Sequence, residues 1–261
     1  MSNMKVFVLM LCLLSFSVNA KDGKPYIVFD YENNKVLEQK LENKMWAIAS
    51  LTKLMTAYVF LKKENNLQSC SMAITNDDND TLKFTKTRLE KDYAYSCESL
   101  LKMMLTVSDN YAASALARKH NKNQFIKEMN FVAKTLGMKN TIFVDSSGLS
   151  PKNVSTILDY YKLIISVKKD KKIWNLISNW STERLWMLDS NTIKNSNKLI
   201  RDDNLKSMFS KTGYIKESGY NLIFLNKSCK SHLGIIVFGR KSSKERANFT
   251  KKLLKSYQCG V

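Results

Sequence analysis

Three short strings dominate what this chain can fold into: Ser50-Leu-Thr-Lys53, Ser108-Asp-Asn110 and Lys211-Thr-Gly213, in that order. Far apart in sequence, they are useful together only in a fold that converges a helix start, a loop and a strand on one cleft. Such a cleft would hold a serine hydroxyl, an amine one helical turn away, a second hydroxyl with an amide, and a cation on a strand with a bare glycine. That inventory suits acyl transfer through a serine ester, on a substrate ending in a carboxylate. S-x-x-K alone says little in a Lys-rich chain, and it recurs at Ser2–Lys5, Ser99–Lys102 and Ser166–Lys169. S-D-N and K-T-G each occur once.

A serine hydroxyl is a weak nucleophile until a base takes its proton. The two histidines, His120 and His232, stand beside no nucleophile motif, so both read as structural and a Ser-His-Asp triad is disfavoured. Lys53, three residues after Ser50, falls on the same helix face. In an apolar helix its ammonium would be desolvated, which moves it toward use as a general base. The helix start at Ser50 offers backbone N–H groups and a positive dipole end for a developing oxyanion. Ser108 is assigned as proton relay toward the leaving amine, and Asn110 as a partner of Lys53 and of the substrate amide. Lys211 and Thr212 are assigned to the substrate carboxylate. Gly213 is expected to let the substrate backbone approach the strand, and Tyr214 to supply a second oxyanion N–H from its main chain.

Along the chain, Pro25–Tyr31 and Val36–Leu41 read as a hairpin around the turn Glu32–Lys35. Leu51 to Leu61 is apolar almost all round, which marks a buried helix. Residues 70–96 read as polar and irregular, with Asp77, Asp78 and Asp80 as a solvated loop that lacks a histidine partner for a metal. Helices follow at 98–105, 110–119 and 125–136, the last closed by Gly137. Phe143–Pro151 is a Gly/Ser loop, and a helix starts at Ser155. Residues 174–200 stay unassigned. Strands follow at 208–214, 219–225 and 233–240, the last apolar enough for burial on both faces. Ser242-Ser-Lys-Glu245 has capping-box form and opens a final helix.

Strands at both ends with helices between predict an α+β fold: an antiparallel sheet flanked by helices, built from 21–47 and 206–261, with a mainly helical lobe at 48–205. The three strings would meet at the lobe boundary. Residues 1–20 read as a signal peptide, with Lys5 before an apolar run and Val18-Asn-Ala20 as the cleavage site, and are too short to span a membrane. An exported chain permits disulfides, and position favours Cys70–Cys97 and Cys229–Cys259. The formal net charge of +19 suits a polyanionic wall or membrane surface. Its even spread fits a chain-wide compositional bias equally well. Export argues against nucleic acid as a partner.

With these residues in hand, the sequence resembles the low-molecular-mass penicillin-binding proteins, the serine D-alanyl-D-alanine peptidases. Ile48–Ala57 resembles the family's nucleophile segment, Asn140–Ser150 with Asn153–Thr156 a loop after its helical lobe, and Lys211–Tyr214 with Gly219–Asn221 its substrate strand. The likeness is nearest to the short endopeptidase branch, through Asp78-Asn-Asp80, Thr87–Leu89, Ser108–Ala113, Ser181–Glu183 and Asn195–Asp203. Asp109, in the middle of the second string, matches class A β-lactamases instead. The resemblance implies a β-lactamase/transpeptidase-like fold. It further implies a periplasmic enzyme without a cofactor that cuts D-alanyl peptides of peptidoglycan and is inhibited by β-lactams. About twenty residues follow the last predicted strand, which leaves no room for the family's C-terminal β-domain and membrane anchor.

Two other classes of protein fit these residues less well. A class A β-lactamase places a glutamate after its second motif to activate the deacylating water, and residues 130–182 contain none. A non-catalytic wall-binding protein would be expected to have lost Ser50, Lys53 or Lys211, and all are present.

Overall fold

The computed structural model describes residues 23–78, 87–226 and 232–257. The segment 1–20, Asp80 and the Cys229–Cys259 pairing lie outside the described residues. The chain opens with β1 (Tyr26–Asp30), β2 (Lys35–Lys40) and β3 (Trp46–Ala47), then α1 (Thr52–Lys63). The short strands β4 (Ser71–Ala73) and β5 (Ala94–Ser96) precede α2 (Cys97–Thr106), α3 (Asn110–Lys119) and α4 (Lys122–Thr135). Next come β6 (Val154–Ser155), α5 (Ile157–Lys169), α6 (Lys171–Thr182), the hairpin β7 (Leu185–Leu188) and β8 (Asn191–Lys194), and α7 (Lys198–Arg201). The chain returns through β9 (Ser207–Ile215), β10 (Gly219–Asn226) and β11 (Leu233–Arg240) to α8 (Ser243–Ser256).

One antiparallel sheet has the order β2-β1-β11-β10-β9, so β9, carrying Lys211-Thr-Gly213, lies at its edge. The sheet is closed by a strand from each end of the chain, because β1 pairs with β11 from Tyr26↔Val237 to Asp30↔Leu233. The first hairpin turns as its sequence predicts: the Asp30 carboxylate accepts from the N–H groups of Glu32 and Asn33 at 2.9 and 3.0 Å.

Both faces of the sheet are covered, and the period of two sorts its side chains. Ile27, Phe29, Ile223, Ile236 and Phe238 join the large core around α1. Val28, Leu222, Phe224, Ile235 and Val237 pack with Leu253 and Leu254 of α8. Burial on both faces explains the uninterrupted apolar run of β11. Every residue of α1 from Thr52 to Leu61 is buried, in keeping with its apolar circumference.

Gly137 ends α4 with φ +70°; its N–H donates to Lys134 O and that of Met138 to Ala133 O, a Schellman closure. Ser242 Oγ accepts from Glu245 N, while Glu245 reaches back to Lys241 N rather than to Ser242 N. Two expectations are corrected. The 70–96 segment is not wholly irregular, since β4 and β5 pair. Asp78 is not solvated: Arg118 grips it through Nε at 3.0 Å and Nη2 at 2.9 Å, so the buried carboxylate is paired. The histidines pack in aromatic clusters, His120 against Phe60 and Phe125 and His232 against Tyr31, away from any nucleophile.

Cys70 and Cys97 are bridged, tying the start of β4 to the first turn of α2 across 27 residues. Loop closure of that length stabilises by about 3.5 kcal/mol. The double serine variant should lose about that much in urea unfolding, and an unshifted midpoint would show that the bridge adds nothing.

Candidate active site

Ser50 lies in a 3-10 turn, Ala49–Leu51, that runs directly into α1. This turn starts from a left-handed residue, since Ala49 has φ +50°. Ser108, in the loop between α2 and α3, is itself left-handed at φ +68°. Two non-glycine residues in that sparse region, one at each hydroxyl, mark backbone strain of the kind that gathers at functional sites.

Lys53 is fully buried one turn past Ser50. Its Nζ lies 3.0 Å from Ser50 Oγ, 2.6 Å from Asn110 Oδ1 and 2.5 Å from Ser147 O. The first two strings thus meet at one amine. The third meets them through Lys211, whose Nζ donates to Ser108 Oγ and to Thr212 O, both at 2.8 Å. Burial, then the charges of Lys53 and Arg246, hold the Lys211 ammonium well below its ordinary value. Asp109 serves the start of α3. It caps α3 by accepting from Ala112 N at 2.9 Å and takes a 2.6 Å hydrogen bond from Thr87 Oγ1. Burial raises its carboxyl despite these donors.

Gly213 lines the cleft and has a second, structural role. A Cβ there would come 2.9 Å from Ile48 O and 3.2 Å from Leu51 N, so the glycine lets the edge strand close on the turn that carries Ser50. The neighbouring Tyr214 is exposed, and its ring stacks on Tyr220, its partner across β10, with centroids 4.2 Å apart. A cleft of about 290 Å³ opens where these parts meet, floored by Ser50, Ser108, Ser196 and Thr212. Its far wall is formed by Tyr220, Ser243 and Arg246.

Similarity to known proteins agrees with this geometry. A model of the D-alanyl-D-alanine carboxypeptidase family matches residues 15–242. The chain belongs to this family. It is 44% identical over 264 residues to a D-alanyl-D-alanine endopeptidase of Haemophilus influenzae, covering 97% of this chain and 86% of that one. It is 32% identical to a D-alanyl-D-alanine endopeptidase of Pseudomonas aeruginosa, covering 81% and 69%. Among solved structures, penicillin-binding protein D2 of Listeria monocytogenes, in its cefotaxime-bound form, superposes with a TM-score of 0.75 at 28% identity, over 88% of this chain and 95% of that one. The protein is therefore a serine-type D-alanyl-D-alanine peptidase with the penicillin-binding fold.

Three features of this DD-peptidase site escaped the sequence reading. The first is the loop after α4. Asp145 Oδ1 accepts from Ser147 N at 2.8 Å and Gly148 N at 2.5 Å, and Oδ2 from Ser150 N at 2.9 Å and Asn153 Nδ2 at 2.6 Å. That wheel of donors aims the Ser147 carbonyl at Lys53. The sequence marks it as a Gly/Ser loop with a family-like pattern but gives it no role, because its purpose lies in a contact made across the fold. The second is Arg246, one basic residue among many in α8, which the fold buries at the cleft wall, where burial brings its guanidinium down to about 10. The third is Ser196, whose hydroxyl lies 2.9 Å from Thr212 Oγ1. No spacing marked either residue.

Proposed function

We propose that Ser50 attacks the carbonyl of a D-alanyl peptide, with Lys53 as its base, and that peptidoglycan cross-links are the preferred substrate. The observation that carries this reading is the set of partners on Lys53. A neutral amine has two N–H groups and one lone pair. Asn110 Oδ1 and Ser147 O can only accept, so each holds an N–H group of the amine, which stands 3.0 Å from the Ser50 hydroxyl. The amine is held in the orientation that a base needs.

In this reading Ser50 Oγ forms a bond to the carbonyl carbon as its proton passes to Lys53. The backbone N–H groups of Ser50 and Tyr214 receive the oxyanion. As the C–N bond breaks, Ser108 passes a proton to the leaving amine and is recharged from Lys211, whose lowered affinity for its proton suits that exchange. Thr212, Lys211 and Arg246 hold the carboxylate of the leaving residue. Water then cleaves the ester: its hydroxyl bonds to the carbonyl carbon and its proton returns through Ser108 to Lys211, while the Ser50 oxygen leaves with the proton held by Lys53. Both relatives carry the endopeptidase name, which supports the cross-link as substrate. The cefotaxime-bound structure supports β-lactams as inhibitors. The Cys70–Cys97 bridge supports an oxidising compartment, and with it export directed by residues 1–20 into the periplasm. No helix among the described residues is long and apolar enough to cross a membrane.

Intact-mass analysis with benzylpenicillin over hours tests the reading. The expected result is one stable penicilloyl group, mapped to Ser50 and absent from Ser50→Ala. Rapid drug turnover without an adduct would make the protein a β-lactamase; neither adduct nor turnover would make it a non-catalytic binder.

A further inference from the structure

A terminal D-alanine and a cross-link present the same carboxylate beside the bond to be cut. What differs is the other substituent on that carbon. In the first it is a methyl group, and in the second the long aliphatic arm of a diamino acid whose D-centre amine carries the D-alanyl group. Whatever holds the carboxylate cannot tell them apart, so discrimination has to come from what the arm touches.

The side chains of β9 alternate between its two faces. Lys211 turns to Ser108, and Gly213 abuts the Ser50 turn. Thr212 and Tyr214, alternate residues, project from the other face. There the Tyr214 ring, 51% exposed, stacks on Tyr220 at 4.2 Å with 28° between planes. The Arg246 guanidinium lies 5.8 Å from the Tyr220 ring centroid and is anchored by Asn221 O at 3.2 Å and Ser243 Oγ at 3.4 Å. A carboxylate seated by Thr212 and Arg246 therefore has a two-ring aromatic shelf beside it, half of it open to solvent. A methyl group is too short to lie along that shelf; an aliphatic arm of several carbons is long enough.

We propose that the stacked Tyr214 and Tyr220 rings form a specificity subsite for the aliphatic arm of the leaving residue, and that this subsite favours cross-linked over terminal D-alanyl peptides. The proposal rests on the reading of Ser50 and the carboxylate site given above. An apolar contact of this size discriminates by roughly tenfold.

The test compares kcat/KM for two purified probes, a cross-linked muropeptide dimer and a linear peptide ending in D-alanyl-D-alanine. It uses the wild type, Tyr214→Ala, Tyr220→Ala and the two phenylalanine variants. Benzylpenicillin acylation of Ser50 is measured on each to report the chemistry separately from the arm. The dimer-to-linear ratio should fall roughly tenfold in the alanine variants and return with phenylalanine, which keeps the ring and drops the hydroxyl. A ratio unmoved by alanine, whether both rates fall together or neither does, overturns the proposal and leaves the rings as a brace for Arg246. A wild type that neither acylates nor cleaves removes the underlying reading, and this inference with it. A wild type that does both, with alanine variants of unchanged ratio, removes this inference alone.

Discussion

Lys53→Arg should acylate with benzylpenicillin about a thousandfold more slowly than the wild type, within the range that positioned proton transfer contributes. Lysine and arginine share a charge, yet arginine has no lone pair to offer at any accessible pH, so it cannot take the Ser50 proton. The planar fork is also the wrong shape for the space. The single Nζ serves three oxygens within 3.0 Å in a fully buried site, and a guanidinium has to displace at least one of them. Acylation rates followed by intact mass give the answer, and a thermal melt separates lost chemistry from lost folding. A variant within tenfold of the wild type would sink the base role. It would also shift attention to Lys211, the second buried amine of the cleft.

Among the described glycines, Gly148→Ala should be the most damaging single methyl. Gly148 has φ +84°, and a Cβ there would lie 2.0 Å from Ala49 O, 2.3 Å from Ala49 C and 2.9 Å from Ser50 N. All three are main-chain atoms of the Ser50 turn and cannot rotate away. The loop has to withdraw, and Ser147 O, on the preceding residue, withdraws from Lys53 with it. Gly137→Ala is the matched control: it also lies in the left-handed region, at φ +70°, but nothing is within 4 Å of its added Cβ. It should cost only about 1–2 kcal/mol, the left-handed penalty for a residue with a Cβ, and leave the acylation rate alone. Gly148→Ala should lose acylation by at least about a hundredfold, the scale on which a small misplacement at a reacting centre is felt. Wild-type acylation by Gly148→Ala would show that the Ser147 carbonyl is not needed on Lys53.

Much of the fold could be read without coordinates. The Asp30 turn and its flanking strands, the wholly buried α1, the doubly buried β11 and the Gly137 closure follow from local chemistry: a side chain bonding its own backbone, an apolar circumference, a residue without Cβ. The segment from 174 to 200 was not legible. The helix α6 carries a helical period in Ile173, Trp174, Ile177 and Trp180, which it buries against α2 and β9, but Asn and Ser residues interrupt it; the hairpin β7–β8 has only four residues a side. Asp78 looked solvated because its partner Arg118 stands 40 residues away.

The sequence by itself determined the reaction, because only a few residue types can activate a serine, and it carried them in three strings whose order and local structure admit few arrangements. It determined the sheet as well, since alternation and turns act over a handful of residues. Only the tertiary structure decided how Lys53, the proposed base, is aimed. The Ser147 carbonyl, Arg246 at the wall, Ser196 on Thr212, and Gly213 and Gly148 against the Ser50 turn are all contacts between distant segments. Each depends on tenths of an ångström of close packing, and a linear pattern has no means of recording distances that arise only when the segments meet.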